Sequence, residues 1–259
     1  MRAALLAALL LAYAPAWPQP TADQPPAGRR SGYEAMSRET RAMQDDDAAN
    51  PATFSVLDGA AAWGRKTGSA DRACSACHGE AQASMKGVAA RYPAFDAARG
   101  RLFNLEQRIN ACRVENQGAR ALSYESRELL ALTTFVARQS RGMPINIVPN
   151  ERSQPHLDAG RALYERKLGQ VDLSCAQCHD QNAGRHLAGN PIPQAHPTGY
   201  PLYRLEWQSV GSLQRRLRNC MSGLRAEAYE FGSPELVGLE YFLMWRARGM
   251  QVETPAVRP

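Results

Sequence analysis

The chain has 259 residues, 31 Lys+Arg against 25 Asp+Glu, six Cys and 44% hydrophobic residues. That length suits one large domain or two smaller ones, each able to bury a core, and the apolar fraction excludes a wholly disordered chain. Only Lys66, Lys86 and Lys167 are lysines; the arginine excess suits planar or tetrahedral anions, and without a long basic run or a basic stripe interleaved with aromatics no nucleic-acid partner is expected.

Arg2, the apolar run from Ala3 to Leu11 and the small residues Ala12, Ala14 and Ala16 read as a signal peptide over 1–16, which predicts an exported, periplasmic protein. The run is too short to cross a hydrocarbon core, which needs about 20 residues, and no later stretch is long enough, so no membrane span is expected. Residues 17–51 form a leader and N-terminal extension, in which Pro18 to Gly32 reads as flexible. Ser37 is an N-cap before a short helix over Arg38–Met43, and the acidic run Asp45–Asp47 with Asn50-Pro51 closes it. The acidic run is expected to be a solvated face.

The rest of the chain is duplicated. Gly59, Trp63, Arg65, Lys66 and Gly68 precede Cys74 at the spacings by which Gly160, Tyr164, Arg166, Lys167 and Gly169 precede Cys175. Tyr92-Pro93 lies 20 residues before Cys112, as Tyr200-Pro201 does before Cys220. Leu105, Arg108 and Ile109 match Leu213, Arg216 and Leu217, and each copy ends in Arg-Gly-Met, at 141–143 and 248–250. The modules are set at 52–150 and 151–253. Leu129, Leu130, Leu132, Phe135 and Val136 recur at helical spacing, as do Leu236, Leu239, Phe242, Leu243 and Met244, so each module reads as mainly α, without alternating strands. Copy two carries seven extra residues before Tyr200, read as a rigid surface loop holding His186, Pro191, Pro193, His196 and Pro197.

Cys74-Ser-Ala-Cys77-His78 and Cys175-Ala-Gln-Cys178-His179 are C-x-x-C-H motifs of c-type haem attachment. One helical turn presents both thiols to the two haem vinyls, and the adjacent imidazole turns to iron. A disulfide framework or a zinc site leaves both histidines unexplained, and a thioredoxin-type site lacks its βαβ context. Cys112 and Cys220 remain, one per module. They are distal thiolate ligands, buried thiols, or a disulfide with each other, and spacing alone does not choose between them and Met143 and Met250 as distal ligands. His186 and His196 have no partners in copy one and read as loop residues.

The duplicated C-x-x-C-H, the segment Gln214-Arg215-Arg216-Leu217-Arg218-Asn219-Cys220, and Ser31-Gly32-Tyr33 with Met43-Gln44-Asp45-Asp46-Asp47 resemble SoxA, the dihaem subunit of the SoxAX cytochromes of bacterial thiosulfate oxidation. The resemblance runs from about Ser31 to Met250 and implies two tandem class I-type cytochrome c-like domains. It implies two covalent c-type haems, attached through Cys74 and Cys77 and through Cys175 and Cys178. His78 with Cys112 and His179 with Cys220 would be the axial pairs, which returns Met143 and Met250 to core packing. It further implies Cys220 as the catalytic cysteine, Arg216 as the thiosulfate-binding residue, and a mostly structural Arg108; Arg218, Arg246 and Arg248 would add positive potential. The activity implied is that of an L-cysteine S-thiosulfotransferase, with a monohaem SoxX-like subunit and a SoxYZ-like carrier as partners. A tetrathionate-forming thiosulfate dehydrogenase and a non-catalytic electron-transfer cytochrome are the alternatives.

Overall fold

The computed structural model describes residues 28–187 and 189–259. The expected signal peptide over 1–16 and the leader up to residue 27 lie outside the described residues. Among those described, no helix is long and apolar enough to cross a membrane.

The α-helices among the described residues are α1 (Arg38–Asp45), α2 (Thr53–Gly64), α3 (Cys74–His78), α4 (Ala81–Ser84), α5 (Leu105–Gln117), α6 (Arg127–Arg138), α7 (Gln154–Glu165), α8 (Leu213–Gly223) and α9 (Pro234–Arg246). Two of them organise the cores. In α6 every residue from Leu129 to Ala137 is buried, and in α9 every residue from Leu236 to Leu243. A helix buried on all sides is stable only when other elements surround it. Ser126 and Ser233 cap these helices, and Pro234 starts α9 where its missing N–H costs nothing.

Each central helix crosses one repeat-opening helix, α2 on α6 and α7 on α9. The first glycine of each repeat makes the crossing possible. A Cβ on Gly59 would lie 2.2 Å from the Ala131 carbonyl oxygen, and one on Gly160 would lie 2.1 Å from that of Gly238. The backbones touch, so no larger residue fits. The larger core gathers Leu157, Leu163, Tyr164, Leu236, Leu239 and Phe242. A second forms around Trp63, Leu105, Phe135 and Val136.

Short strands correct the expectation of a module without strand structure. β1 (Ala94–Asp96) pairs antiparallel with β2 (Arg101–Phe103), and β3 (His186–Leu187) pairs with β4 (Asn190–Pro191). β5 (Leu202–Arg204) pairs antiparallel with β6 (Ser209–Gly211) and parallel with β7 (Ala256–Arg258). β1 and β5 are counterparts, each following a cis Tyr-Pro bond, at Tyr92-Pro93 and Tyr200-Pro201.

The N-terminal extension is strapped onto copy two. Ser37 caps α1 as expected. Buried Gln44 accepts from Val257 N at 3.1 Å and from Arg258, and Asn50 Nδ2 donates to the Pro255 carbonyl at 2.9 Å. The last residues of the expected flexible leader are also held: Arg29 donates to the carbonyls of Arg246 at 3.0 Å and Arg248 at 2.6 Å. Nor is the acidic run simply solvated, because Asp47 pairs with Arg138 at 2.7 Å and Arg141 at 2.8 Å.

The Arg-Gly-Met segments of the two copies run against each other. Gly142 N donates to Val252 O, Ile145 N to Met250 O, Gly249 N to Ile145 O and Val252 N to Met143 O, at 2.7–2.9 Å. Met143 and Met250 therefore sit at the module junction, and Met250 packs on the larger core.

Between the modules, Glu106 and Glu240 are buried close enough to act on each other, with Asn104 Nδ2 donating to Glu240 Oε2 at 3.1 Å. Burial, more than the nearby carboxylates, pushes Glu106 from 4.5 up to about 7 and Glu240 well above its ordinary value. The fold thus keeps protons that the unfolded chain gives up, and the stabilising contribution of Glu106 is complete below pH ~4.5 and is lost as pH rises through ~7. Glu106→Gln, which copies the Gln214 found at the matching position, should gain on the wild type across that window. Thermal melts from pH 5 to 8 should show the difference grow to a few degrees, on the order expected for one ionisation in a domain of this size; a pH-independent offset would contradict the assignment.

Candidate haem sites and an anion site

In copy one, α3 carries Cys74, Cys77 and His78 on a single turn, ended by Gly79 at φ 64°. Trp63 Nε1 donates to the Gly79 carbonyl at 3.0 Å, and its ring centroid lies 5.7 Å from that of His78. The repeat's aromatic therefore fixes the exit of the motif. The distal wall is α5, capped by Asn104 in a reciprocal box with Gln107. Gln117, at its far end, donates to the Arg72 carbonyl at 3.0 Å and towards Cys74 Sγ at 3.7 Å. Cys112 projects from α5; burial pushes its thiol up, Arg108 opposes the shift, and Cys77 is close enough to add to it.

Arg108, one turn before Cys112, is fully engaged. It donates to Asp96 Oδ2 at 2.6 Å and to the Tyr92 hydroxyl at 3.2 Å, and lies over the Phe103 ring. Asp96 also accepts from Arg99 and from the backbone N–H groups of Ala98 and Arg99. The Arg108 bond first, then these others, hold the Asp96 carboxyl down at about 2 against the effect of burial.

Copy two has the same plan with three changes. The motif begins with a reciprocal Ser174–Gln177 pair and continues as a π-helical turn over Gln177–Gln181 that contains His179. Tyr164, counterpart of Trp63, donates its hydroxyl to Asp180 at 2.9 Å, and Arg246 closes on the same carboxylate at 2.6 Å. The inserted loop supplies the second change: His179 Nδ1 lies 2.7 Å from the Pro193 carbonyl oxygen. A histidine that donates Nδ1–H to a carbonyl presents Nε2 to a metal in a fixed orientation. Burial lowers the His179 pKa, with the Pro193 bond opposing and Arg216 reinforcing, which favours the neutral, ligating form. His78 has no hydrogen-bond partner among the described residues. The loop is thus more than a surface feature, and His196 in it anchors the leader, its Nδ1 2.8 Å from the Arg30 carbonyl oxygen.

The third change is electrostatic. Cys220 and Arg216 lie one turn apart on α8, capped by Ser212. Burial, reinforced by Cys220, raises the Cys175 thiol to about 11, so the two sulfurs share a site. Half-buried Arg216 has no hydrogen-bond or ion-pair partner for its guanidinium among the described residues. Tyr200 is pushed up to about 12 by burial, with Arg216 and Arg204 opposing. The other arginines nearby are in use. Arg215 lies over Trp207 at 4.3 Å, Arg218 donates to the Tyr229 carbonyl, and Arg246 is bound to Asp180. Arg248 lies over the Trp245 ring at 4.0 Å.

Haem brings four nitrogens to its iron and asks the chain for two axial donors and two thiols. Each module offers that set: paired thiols on one turn, the next-door imidazole, and one thiol on the facing helix. All six cysteines are free. Among the described residues no group of three or more His, Cys, Asp and Glu converges as a bare metal ion requires. The donors fit haem. Each expected site residue falls in one of these two groups, but Tyr200, Arg204 and the Pro193 carbonyl were not among those expected. The first two, four residues apart, could have been found by extending the Tyr-Pro alignment to Asp96 against Arg204.

Comparison with known proteins agrees with this geometry. The family model for the SoxA/TsdA cytochrome c domain matches residues 58–145 and 159–252. The L-cysteine S-thiosulfotransferase subunit SoxA of Pseudaminobacter salicylatoxidans is 38% identical over 229 residues, 88% of this chain and 80% of that protein. The subunit of the same name from Rhodovulum sulfidophilum is 34% identical over the same shares. The crystal structure of SoxXA from P. pantotrophus superposes with a TM-score of 0.86 at 31% identity, covering 89% of this chain and 87% of that one.

Proposed function

Since the chain belongs to the SoxA/TsdA cytochrome c family, a family of c-type haem domains, we propose that it is the haem-bearing subunit of an L-cysteine S-thiosulfotransferase. Two haems are attached, one through Cys74 and Cys77 with His78 and Cys112 as axial ligands, the other through Cys175 and Cys178 with His179 and Cys220. A SoxX-like monohaem cytochrome is its subunit partner and a SoxYZ-like protein its thiol carrier, with the assembly working in the periplasm. The SoxXA structure it resembles supports the first of these partners.

The observation that carries this reading is the unpaired Arg216 one turn from Cys220. Thiosulfate and the carrier thiolate repel each other, so a cation must hold them together. A guanidinium forks onto sulfonate oxygens and keeps its charge at any working pH. With the sulfonate on Arg216, the outer sulfur of thiosulfate meets the Cys220 sulfur. A sulfur–sulfur bond forms between them and two electrons are released. Bound haem supplies the acceptor for those electrons. The carrier thiolate then attacks the sulfur that bears the sulfonate, the bond to Cys220 breaks, and Cys220 departs as thiolate. This second step consumes no electrons and leaves a thiosulfonate on the carrier cysteine.

Intact mass of the purified mature chain tests the cofactor count. Two haem increments are expected, with each C-x-x-C pair alkylation-resistant; one increment, or a zinc ion instead, overturns the site assignment. Turnover assays with and without carrier test the reaction. Tetrathionate formed without any carrier would favour the dehydrogenase reading.

A further inference from the structure

We propose that Arg204 is a second substrate-binding residue, forming with Arg216 a two-guanidinium clamp for the oxyanion end of thiosulfate. This rests on the thiosulfate reading and extends it to a residue at the end of a strand.

The two copies differ in charge at one matched position. Asp96 and Arg204 are the last residues of β1 and β5, each four residues past the tyrosine of a cis Tyr-Pro pair. Each strand forms a three-residue antiparallel hairpin, with Asp96 opposite Arg101 and Arg204 opposite Ser209. The two positions are therefore equivalent in the fold, as are Arg108 and Arg216 on the facing helices. In copy one the strand residue is the counterion of the helix residue, with Arg108 bound to Asp96 at 2.6 Å. In copy two the carboxylate is replaced by a second guanidinium. Arg216 loses its counterion and gains a like charge.

Arg204 shows the cost of that exchange. Its side chain is 15% exposed, and its Nε is buried without a hydrogen-bond partner. Its one carboxylate contact is Glu206 at 3.0 Å, itself 60% exposed and so a weak, screened partner. Burial first, and Arg216 next, make the protonated Arg204 less favourable than usual. Two half-buried cations held together are repulsive until an anion sits between them. A dianion with a tetrahedral, three-oxygen end relieves both, since each guanidinium takes separate oxygens. Copy one, with its pair closed, offers no such site. A haem propionate is the other carboxyl or oxyanion source that Arg204 could meet, and the experiment separates the two.

Thiosulfate binding to the ferric, haem-loaded protein with its partner subunit is measured by calorimetry for wild type, Arg204→Met, Arg204→Lys and Arg204→Asp. Haem content and midpoint potential are recorded for each. Arg204→Asp rebuilds the ion pair that copy one already accommodates, so it should fold. Loss of one charge-assisted contact should weaken thiosulfate binding about 10–150-fold in Arg204→Met. Arg204→Asp should lose more, because it also occupies Arg216, and Arg204→Lys should fall between Arg204→Met and wild type. Haem content should stay at the wild-type value, and the potential should move only with the charge removed, most in Arg204→Asp and least in Arg204→Lys. Variants that bind thiosulfate as well as wild type overturn the clamp while leaving the functional reading intact. Weakened binding accompanied by haem loss, or a potential shifted as much in the charge-keeping Arg204→Lys as in Arg204→Met, also overturns it, and assigns Arg204 to a propionate. A wild type that binds no thiosulfate overturns the functional reading and the clamp with it.

Discussion

Cys220→Ala should abolish carrier-dependent thiosulfate turnover, whereas Cys112→Ala should retain an appreciable fraction of it. Both thiols stand on the helix facing their C-x-x-C-H motif, each near one of its cysteines. By ligand type alone the two would be interchangeable. They differ in what lies one turn away: at Cys112 a guanidinium already neutralised by Asp96, at Cys220 one without a partner. Substrate anions should therefore be drawn to Cys220, and only there would the sulfur lie beside a bound sulfonate. Each variant should alter the optical spectrum of its own haem, which reports loss of a thiolate ligand independently of activity. Mass spectrometry after incubation with thiosulfate should find added sulfur on Cys220 and none on Cys112. If both variants turn over at the wild-type rate, the thiols are structural and the electron-transfer reading replaces the enzymatic one.

Arg216→Met should lower kcat/KM about 10–150-fold, the loss expected for one charge-assisted hydrogen bond made to the reacting anion. Arg216→Lys keeps the charge and loses the fork, so it should lie between the Met variant and wild type. Haem spectra should stay near wild type in both, since the side chain is not a ligand. The control is Arg108→Met. It removes the strongest contact of Asp96, leaving a carboxylate only partly compensated, so it should lower thermal stability while sparing turnover. Equal kinetic losses at 108 and 216 would refute a single active site, and no loss at 216 would remove the anion site altogether.

The features legible in the amino-acid sequence are those set by local rules. The cap Ser37, the apolar spacing within α6 and α9 and the repeated glycines state themselves within a few residues of sequence. The paired glycines point to a close backbone contact at Gly59 and at Gly160, although only the fold says with what. The strands were illegible because each spans only two or three residues, too few for an alternating pattern to register. β7 lies 52 or more residues from its partner β5 in sequence, and such pairing leaves no local signal. The same holds for the leader. Arg29 and Gln44 look like ordinary polar residues until the carbonyls of Arg246 and Arg248 and the β7 backbone stand opposite them. Arg204 was hidden differently. Its meaning lies in the charge that its counterpart has and it lacks, which single-residue propensities do not express.

The crossed backbone bonds between 142–145 and 249–252 have a consequence for how the molecule behaves as a whole. Gene duplication commonly yields beads on a string, each bead melting by itself and swivelling on its tether. Here the closing segments of the two beads are bonded to each other, so that severing the chain near residue 150 would leave two ragged halves rather than two proteins. The pair is a single mechanical body. The separation between the two candidate haem sites is accordingly a built-in dimension of the polypeptide, set once at folding, and a partner that docks against one site finds the other at a constant range and bearing.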